Sequence, residues 1–430
     1  MMDIVKTSVA GWEKRVEKAY KRLLSIPENV DKDVKDIIKK VRDLGDNALF
    51  EYTRLFDNYD PEEEGTYIDA DAIASSVSAV PKELMDALES ASARIRAFHA
   101  REMENSWFMT DDTGAFLGQK VQPIPSVGIY VPGGRNAFPS TLLMNVIPAR
   151  IAGVKDIVVV SPTPGGIINP ALLAAAYITG VDRIYRVGGA QAVAALVYGT
   201  ETIPRVDKIV GPGNIYVSHA KRLLNGIVGI DSIAGPSEIL VVADKGADPR
   251  LVAIDLLSQA EHDPMACAFL LTPEESLAAE VTSIIKDEVT SLPRRDIINR
   301  SLKDHGLCIV TKDMDEAIEI SNKIAPEHLE LMLGDAYEYL AKVENAGAVF
   351  LGYNTPEASG DYIAGPNHTL PTGSTARFSS PLGVYDFVKR TSVISLSGES
   401  LSRLGPVASI IAKAESLDAH ARSLEYRLKR

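Results

Sequence analysis

Short apolar runs that alternate with helical segments constrain the fold of this chain more than any other feature. Helical patterns separate the runs of a first series, which lie at 127–131, 157–160, 183–187 and 208–210. A second series begins after Gly235-Pro236, with runs at 238–243, 267–271, 307–310 and 347–351. Such alternation predicts parallel sheets covered by helices on both faces. Two consecutive units of this kind suggest a duplicated α/β architecture.

The regions on either side of these units have a different pattern. Residues 1–105 read as helical, with Gly45 placed to end one helix and Pro81 in the first turn of another. A Gly/Pro/Ser/Thr-rich stretch follows residue 353, and a polar helix is predicted from about 406 to 428. We therefore divide the chain into a helical N-terminal region packing on the second unit (1–120), a first α/β unit (121–236), a second α/β unit (237–380) and a small C-terminal extension (381–430).

The net charge of −13 and the two cysteines limit the partners and the compartment. An acidic chain is repelled by nucleic acid and by anionic membranes, so we expect neither as a partner. Cys267 and Cys308 lie in apolar runs that predict buried, reduced thiols, which fits a cytoplasmic protein. We expect no signal peptide, and no apolar stretch reaches the ~18 residues of a membrane span.

Two pairs of polar residues in the second unit suggest chemistry. Gln259 and His262 are three residues apart near the end of a predicted helix, so one face presents both to a shared ligand. The helix dipole explains a histidine in a last turn equally well. Glu327 and His328 follow Pro326, which interrupts a helix, and offer groups for proton transfer. A polar surface turn is the alternative.

Two further pairs lie near the C-terminus. In the Gly-rich stretch, Asp361 offers an oxygen ligand and His368 a nitrogen ligand or a hydrogen-bond donor. Glu415 and His420 lie on the predicted terminal helix, where a polar histidine is more often solvated than functional. Spacing alone leaves the roles of all four residues open.

Three glycine-rich turns of the first unit each follow a strand candidate and precede a helix. They are Val131–Arg135, Val187–Ala192 and Val210–Asn214. Such turns expose backbone N–H groups at a helix N-terminus, which suits a diphosphate. None matches G-x-G-x-x-G, so the ordinary dinucleotide fingerprint is absent. The turns therefore predict either a nucleotide site or plain loops.

Taken in order, these segments resemble histidinol dehydrogenase from about residue 30 to the C-terminus. Further matching stretches are Gly229–Glu238, Asn367–Pro371 and Ala376–Pro381. The resemblance implies two Rossmann-like units similar to those of aldehyde dehydrogenases. It also implies oxidation of L-histidinol to L-histidine through L-histidinal with two NAD. One zinc ion per subunit and a homodimer with shared active sites are part of the same expectation.

Roles for individual residues follow from this resemblance. Acid–base catalysis is assigned to Glu327 and His328. The zinc ligands would be Gln259, His262, Asp361 and, from the other subunit, His420. Substrate would be held by these four residues together with Ser140, Ser237, His328, His368 and Glu415. NAD would contact Tyr130, Gln191 and Asn214.

Two rival functions are compatible with the sequence. A paralogue would use the same zinc and NAD apparatus on another small alcohol, such as a sulfonated diol. Glu415 argues against this paralogue, because a carboxylate there suits the imidazole of histidinol. The other rival is a catalytically silent metal- or nucleotide-binding protein, although every proposed ligand and base is present.

Overall fold

In the computed structural model, which describes residues 2–21, 27–133, 138–233 and 235–429, two six-stranded sheets form the centre of the chain. The strands are β1 (Asp3–Lys6), β2 (Tyr67–Asp69), β3 (Trp107–Thr110), β4 (Phe116–Pro123), β5 (Ser126–Tyr130), β6 (Asp156–Val160), β7 (Arg183–Tyr185), β8 (Lys208–Val210), β9 (Gly229–Ile230), β10 (Glu238–Ala243), β11 (Cys267–Thr272), β12 (Gly306–Val310), β13 (His328–Met332), β14 (Ala348–Leu351) and β15 (Val388–Ser395).

Eighteen α-helices are described, and most of them cover the two faces of these sheets. They are α1 (Trp12–Lys21), α2 (Glu28–Leu44), α3 (Asp46–Asp57), α4 (Pro61–Glu64), α5 (Ala70–Ser76), α6 (Lys82–His99), α7 (Pro139–Ala152), α8 (Pro170–Thr179), α9 (Gly189–Tyr198), α10 (Ile215–Leu224), α11 (Pro249–Ala260), α12 (Glu275–Glu288), α13 (Arg295–His305), α14 (Met314–Ile324), α15 (Ala336–Leu340), α16 (Glu357–Tyr362), α17 (Gly398–Ala414) and α18 (Asp418–Leu428). The predicted α/β class is confirmed.

The first sheet has the strand order β2-β7-β6-β5-β8-β9, and its pairs are parallel except for β2 with β7. Side chains alternate between its two faces, so Val127 and Ile129 pack against α7 and α8, whereas Tyr130 packs toward α9 and α10. Burial on both faces explains why these strands appear in the sequence as continuous apolar runs.

The second sheet has the order β1-β12-β11-β10-β13-β14, and all its pairs are parallel. Helices α11, α12 and α13 cover one face, and α14 with α1 covers the other. Cys267 and Cys308 lie buried and free in β11 and β12, as their apolar neighbours predict.

The N-terminal region differs from its prediction in both structure and packing. It contains β1, β2 and β3 in addition to its helices. Packing on the second unit, expected for the whole region, is found for β1 and α1. Helices α2, α3, α5 and α6 instead place their apolar stripes on the first unit, where they complete both layers of its core.

The C-terminal extension is a strand followed by a helical hairpin. Strand β15 pairs antiparallel with β4, which also pairs with β3, and these strands form a small separate sheet. The single polar helix predicted for 406–428 is wrong, because α17 ends at Ala414 and α18 begins at Asp418. Ser416 adopts a left-handed conformation (φ 60°) that breaks the helix. Among the described residues, each helix is too short or too polar to cross a membrane.

Candidate active site

Glu327 and His328 stand where the chain passes from α14 into β13. Ala325 ends α14 in the left-handed conformation (φ 52°), and Pro326 prevents the helix from continuing. The interruption at Pro326 is as predicted, but a buried strand follows it directly. Glu327 is 6% exposed and His328 is 4% exposed. The alternative of a polar surface turn is therefore wrong.

The imidazole of His328 has a defined tautomer. Its Nδ1–H donates to the backbone carbonyl of Glu238 at 2.9 Å, which leaves Nε2 as the atom with a free lone pair. This Nε2 lies 3.5 Å from Oε1 of Glu357. Burial lowers the pKa of His328, so the ring is neutral near pH 7. Nε2 is thus unprotonated and positioned to accept a proton.

Glu327 also contacts Glu238, the first residue of β10. Its Oε2 accepts the backbone N–H of Glu238 at 2.8 Å and lies 3.6 Å from Nδ1 of His328. Burial and then the charge of Glu238 raise the pKa of Glu327 well above its usual range. A carboxyl group with a raised pKa is suited to proton transfer near neutral pH.

Gln259 and His262 lie side by side at the end of α11. Nε2 of Gln259 is 3.4 Å from Nδ1 of His262, although the helix itself ends at Ala260. Burial is the main reason that the pKa values of His328 and His368 are lowered, and His262 contributes a smaller lowering to both, which places it close to these two residues. Spacing in the sequence had indicated this side-by-side arrangement.

Asp361 and His368 complete the cluster and connect it to the first unit. Nδ1 of His368 is 3.8 Å from Oδ1 of Asp361. Nε2 of His368 is 3.2 Å from Oγ1 of Thr141, which follows Ser140 in the first turn of α7. Ser237 directly precedes Glu238 at the start of β10, and the contact of His368 with Thr141 places the cluster where the two units meet.

Glu357, which the sequence pattern did not indicate, also belongs to this cluster. It is 2% exposed and lies beside Asp361, one helical turn later in α16. Burial and the charge of Asp361 raise the pKa of Glu357 to about 9. Ligand atoms of His328, Glu357 and Asp361 all lie within 4.8 Å of one another. Four-residue spacing of two carboxylates was the available signal, but the Gly-rich context favoured a loop.

Three atoms with lone pairs in this cluster fit a divalent cation. Within the described residues, Oε1 of Gln259, Nε2 of His328 and Oε1 of Glu357 are buried without a hydrogen-bond partner. Unpaired buried polar atoms are rare because each costs the free energy of its lost hydration. Nitrogen and oxygen donors without thiolate are typical of a catalytic zinc site.

A second group of residues lies at the carboxyl ends of β5 and β8. The hydroxyl of Tyr130 accepts the backbone N–H of Gly189 at 3.0 Å. Gly211 approaches the carbonyl of Tyr130 so closely that a Cβ would lie 2.1 Å from its oxygen. Strand order reverses between β5 and β8, and such switch points open a crevice in which α/β proteins bind ligands.

The other residues predicted to contact NAD border this crevice. Asn214 caps α10 by accepting the N–H groups of Tyr216 and Val217. Gln191 is buried in α9, and its Oε1 has no hydrogen-bond partner among the described residues. Gly134 and Arg135, part of the first predicted turn, lie outside the described residues.

Glu415 and His420 lie apart from the cluster. Glu415 follows the last residue of α17 and His420 lies in α18, and both line a groove of the hairpin together with Ile411 and Leu424. In the described part of the chain, neither side chain forms a hydrogen bond or an ion pair with Gln259, His262 or Asp361. One chain alone therefore does not bring all the predicted site residues together.

Comparison with known proteins identifies the family. A family model described as histidinol dehydrogenase matches residues 21–428. The chain belongs to the histidinol dehydrogenase family. It is 51% identical over 403 residues to the histidinol dehydrogenase of Syntrophotalea carbinolica, with 94% of each protein covered. It is 49% identical over 429 residues to that of Gluconobacter oxydans, with 100% of each covered.

Solved structures agree with this assignment. The crystal structure of histidinol dehydrogenase from Elizabethkingia anophelis has a TM-score of 0.94 and 36% identity, covering 100% of this chain and 98% of that one. An acetylating aldehyde dehydrogenase from Geobacillus thermoglucosidasius, at 14% identity and a TM-score of 0.50, shares the fold over 91% of this chain and 96% of its own. The family resemblance and the aldehyde-dehydrogenase-like fold predicted from the sequence are confirmed.

Proposed function

We propose that this chain oxidises L-histidinol to L-histidine in two NAD-dependent steps, the last steps of histidine biosynthesis. The observation that carries the proposal is the buried, neutral His328, whose free Nε2 faces Glu357 and lies beside Asp361. Curated relatives of 49–51% identity are named histidinol dehydrogenase, which favours histidinol over a sulfonated diol as substrate. A cytoplasmic location stays a prediction.

The proposed zinc ligands are Gln259, His262 and Asp361 of one subunit and His420 of the partner subunit. The unpaired Oε1 of Gln259 supports this assignment, and Glu357 supports it because it lies close enough to Asp361 to orient it. Zinc, when bound, supplies a charged centre that orients the amino and imidazole nitrogens of histidinol. Ser140, Ser237 and His368 lie where the two units meet and are proposed to hold the substrate.

The proposed NAD site is the crevice at the carboxyl ends of β5 and β8, with contacts from Tyr130, Gln191 and Asn214. Its support is the switch point between β5 and β8, which the glycine-rich turns and the N-terminus of α10 border. NAD, when bound, accepts a hydride from the carbon that carries the substrate hydroxyl.

In the first oxidation, Nε2 of His328 takes the proton of the hydroxyl while the hydride leaves, and histidinal remains. Glu327 then takes a proton from the water that adds to the aldehyde, while Nε2–H of His328 returns its proton to the aldehyde oxygen, which completes the hydrate and leaves Nε2 free again. Nε2 of His328 takes the hydroxyl proton of the resulting hydrate as the second hydride leaves. Burial raises the pKa of Cys308 to about 12 and that of Cys267 well above its usual range, so a thiolate plays no part.

We further propose that two copies of the chain share their active sites. Glu415 of the partner subunit would contact the substrate imidazole, and His420 of the partner subunit would reach the zinc. Helix α17 and the small β15-β4-β3 sheet expose apolar side chains of the kind that a subunit interface covers. These are Trp107, Phe108, Met109, Ile394, Val407, Ile410 and Ile411.

The deciding experiment measures NADH formed by the purified, zinc-loaded protein with L-histidinol. We expect two NADH per histidinol, loss of activity with a chelator and recovery with zinc. No NADH from folded, zinc-loaded protein would overturn the proposal, and a panel of other small alcohols would then test the paralogue.

Shared sites are tested by mixing two variants impaired in the formation of histidine, His420→Ala and Glu327→Gln, and by measuring histidine formed. Hybrid dimers contain one site with neither substitution, so activity should partly return after subunit exchange. A fluorescence-labelled pair would verify the exchange. Verified exchange without any recovery would overturn the shared site and leave the reaction itself untouched.

A further inference from the structure

Lys221 is a buried lysine to which the proposed reaction gives no role. It lies in α10 and is only 1% exposed, although lysine is among the residues least often buried without a partner. Its ammonium group forms an ion pair with Asp231, and the two side chains are 2% and 4% exposed. Asp231 follows β9 at the end of the first unit. Burying two charged groups costs desolvation free energy, so this ion pair is weak evidence of a contribution to stability and suggests another role.

Both members of this pair bind the same residue. Nζ of Lys221 donates to the carbonyl of Gly211 at 3.0 Å, and Oδ2 of Asp231 accepts the N–H of Gly211 at 2.8 Å. The cation of this ion pair therefore holds the carbonyl of Gly211, and the anion holds its N–H. Hydrogen bonds to charged groups are stronger than those between neutral groups.

Gly211 is the residue on which the shape of the turn depends. Its φ of +104° favours glycine, and its backbone touches the carbonyl of Tyr130. Asn214, three residues later, caps α10 at the proposed diphosphate position. Fixing Gly211 therefore fixes how the turn 211–214 stands against the end of β5.

We propose that the Lys221–Asp231 pair is a positioning device for NAD, which holds the Gly211–Asn214 turn in its binding conformation without touching the cofactor. This inference rests on the proposed function, because it assumes that NAD binds at this turn. A preorganised turn loses less conformational freedom on binding, so the pair strengthens NAD binding rather than the chemical step.

A second ion pair in the same unit provides a matched control. Nζ of Lys208, in the strand that leads into the turn, donates to the carbonyl and to Oδ1 of Asp386. The side chains of this pair are 14% and 23% exposed. It holds no backbone group of a glycine-rich turn. Loss of this pair should lower the melting temperature without changing the KM for NAD or the Kd of NADH.

The test compares Lys221→Met, Asp231→Asn, Asp231→Ala and the control Lys208→Met. We measure melting temperature, kcat, the KM values for NAD and for histidinol, and the Kd of NADH from its fluorescence. For Lys221→Met we expect the KM for NAD and the Kd of NADH to rise about tenfold, with kcat and the KM for histidinol nearly unchanged. Asp231→Asn keeps an oxygen that accepts the N–H of Gly211, so its effect should be smaller than that of Asp231→Ala.

Equal values for Lys221→Met and Lys208→Met would overturn the positioning role and leave a merely structural pair. If Lys221→Met does not fold, the difference between the two Asp231 variants decides: no rise in the Kd of NADH in either overturns the proposal. Wild-type protein that reduces no NAD with histidinol is a different outcome, because it refutes the proposed function.

Discussion

The two α/β units have the same topology but use opposite ends of their sheets. Numbered within each unit, the strands have the order 3-2-1-4-5 in both, and an N-terminal strand is added beside strand 3 in each case. In the first unit, Tyr130 and Gly211 lie at the carboxyl ends of β5 and β8. In the second unit, Glu238 and His328 are the first residues of β10 and β13, at the amino ends. The architecture is duplicated, and the site is not.

This difference separates two kinds of recognition. The first unit presents backbone groups of glycine-rich turns, which suit a diphosphate regardless of side chains. The second unit presents buried ionisable side chains whose pKa values are shifted by burial. The proposed NAD contacts thereby belong to the first unit, and the proposed acid–base residues and three of the proposed zinc ligands to the second, while Ser140 is a proposed substrate contact from the first unit. Substitutions in one unit should therefore leave the function of the other intact.

The largest expected effect is that of His328→Gln in the second unit. Removing the base should slow both oxidations about 1,000-fold, within the usual range for general acid–base groups. The Kd of NADH should stay at its wild-type value. Single-turnover rates for histidinol and for histidinal, together with NADH fluorescence, measure all three quantities. A comparable loss of NADH affinity would break the separation between the units.

Glu327→Gln should distinguish the two half-reactions. Glu327 is proposed to activate water, which only the oxidation of histidinal requires. We expect that step to slow about 100-fold and the oxidation of histidinol far less. Single-turnover assays started from each substrate check this. Equal decreases in the two rates would show that Glu327 does not act specifically in the hydration of histidinal.

The sequence predicted the units better than their flanks, and the reason is physical. Strands buried on both faces are continuous apolar runs, so β5, β6, β10 and β11 were recognisable. Strand β13 was missed because its sequence HLELM places His328 and Glu330 in a buried strand. The break between α17 and α18 at Ser416 was not predicted, because no glycine or proline lies there in the sequence.

The candidate site was predictable only in part. Local spacing indicated the pairing of Gln259 with His262 and the interruption at Pro326. It could not bring α7, α11, α16 and β13 together, because those contacts are between residues far apart in sequence. Glu357 was not predicted, because the Gly-rich stretch that contains it was interpreted as a loop, whereas residues Glu357–Tyr362 form α16. The roles of Glu415 and His420 came from the family resemblance, since one chain does not join them to the cluster.

Asp361→Asn should weaken zinc binding in the second unit. Losing one charged oxygen ligand is expected to lower zinc affinity by about 10–100-fold, with no change in NADH binding. Equilibrium dialysis gives the zinc affinity directly. Asp244→Asn is the control, since Asp244 lies past the opposite end of β10 and accepts hydrogen bonds from Tyr353 and Gly334. Equal zinc affinity in both variants would remove Asp361 from the ligand set.

The smallest expected effect belongs to the first unit. Tyr130→Phe removes the hydroxyl that accepts the N–H of Gly189, and the lost hydrogen bond should reduce the free energy of unfolding by about 1–2 kcal/mol. The KM for NAD should rise about threefold as that turn loosens, a free-energy difference of about 0.7 kcal/mol. Zinc affinity and the KM for histidinol should not move.

Tyr385→Phe is the matched control for that change, because its hydroxyl donates to the carbonyl of Pro381 and not to a glycine-rich turn. It should lower stability to a similar degree and leave the KM for NAD at its wild-type value. If Tyr130→Phe instead alters zinc affinity, binding at one unit affects binding at the other. The contact between His368 and Thr141 is then the route by which the two units are coupled. The separation of cofactor and substrate functions would then hold for topology but not for energetics.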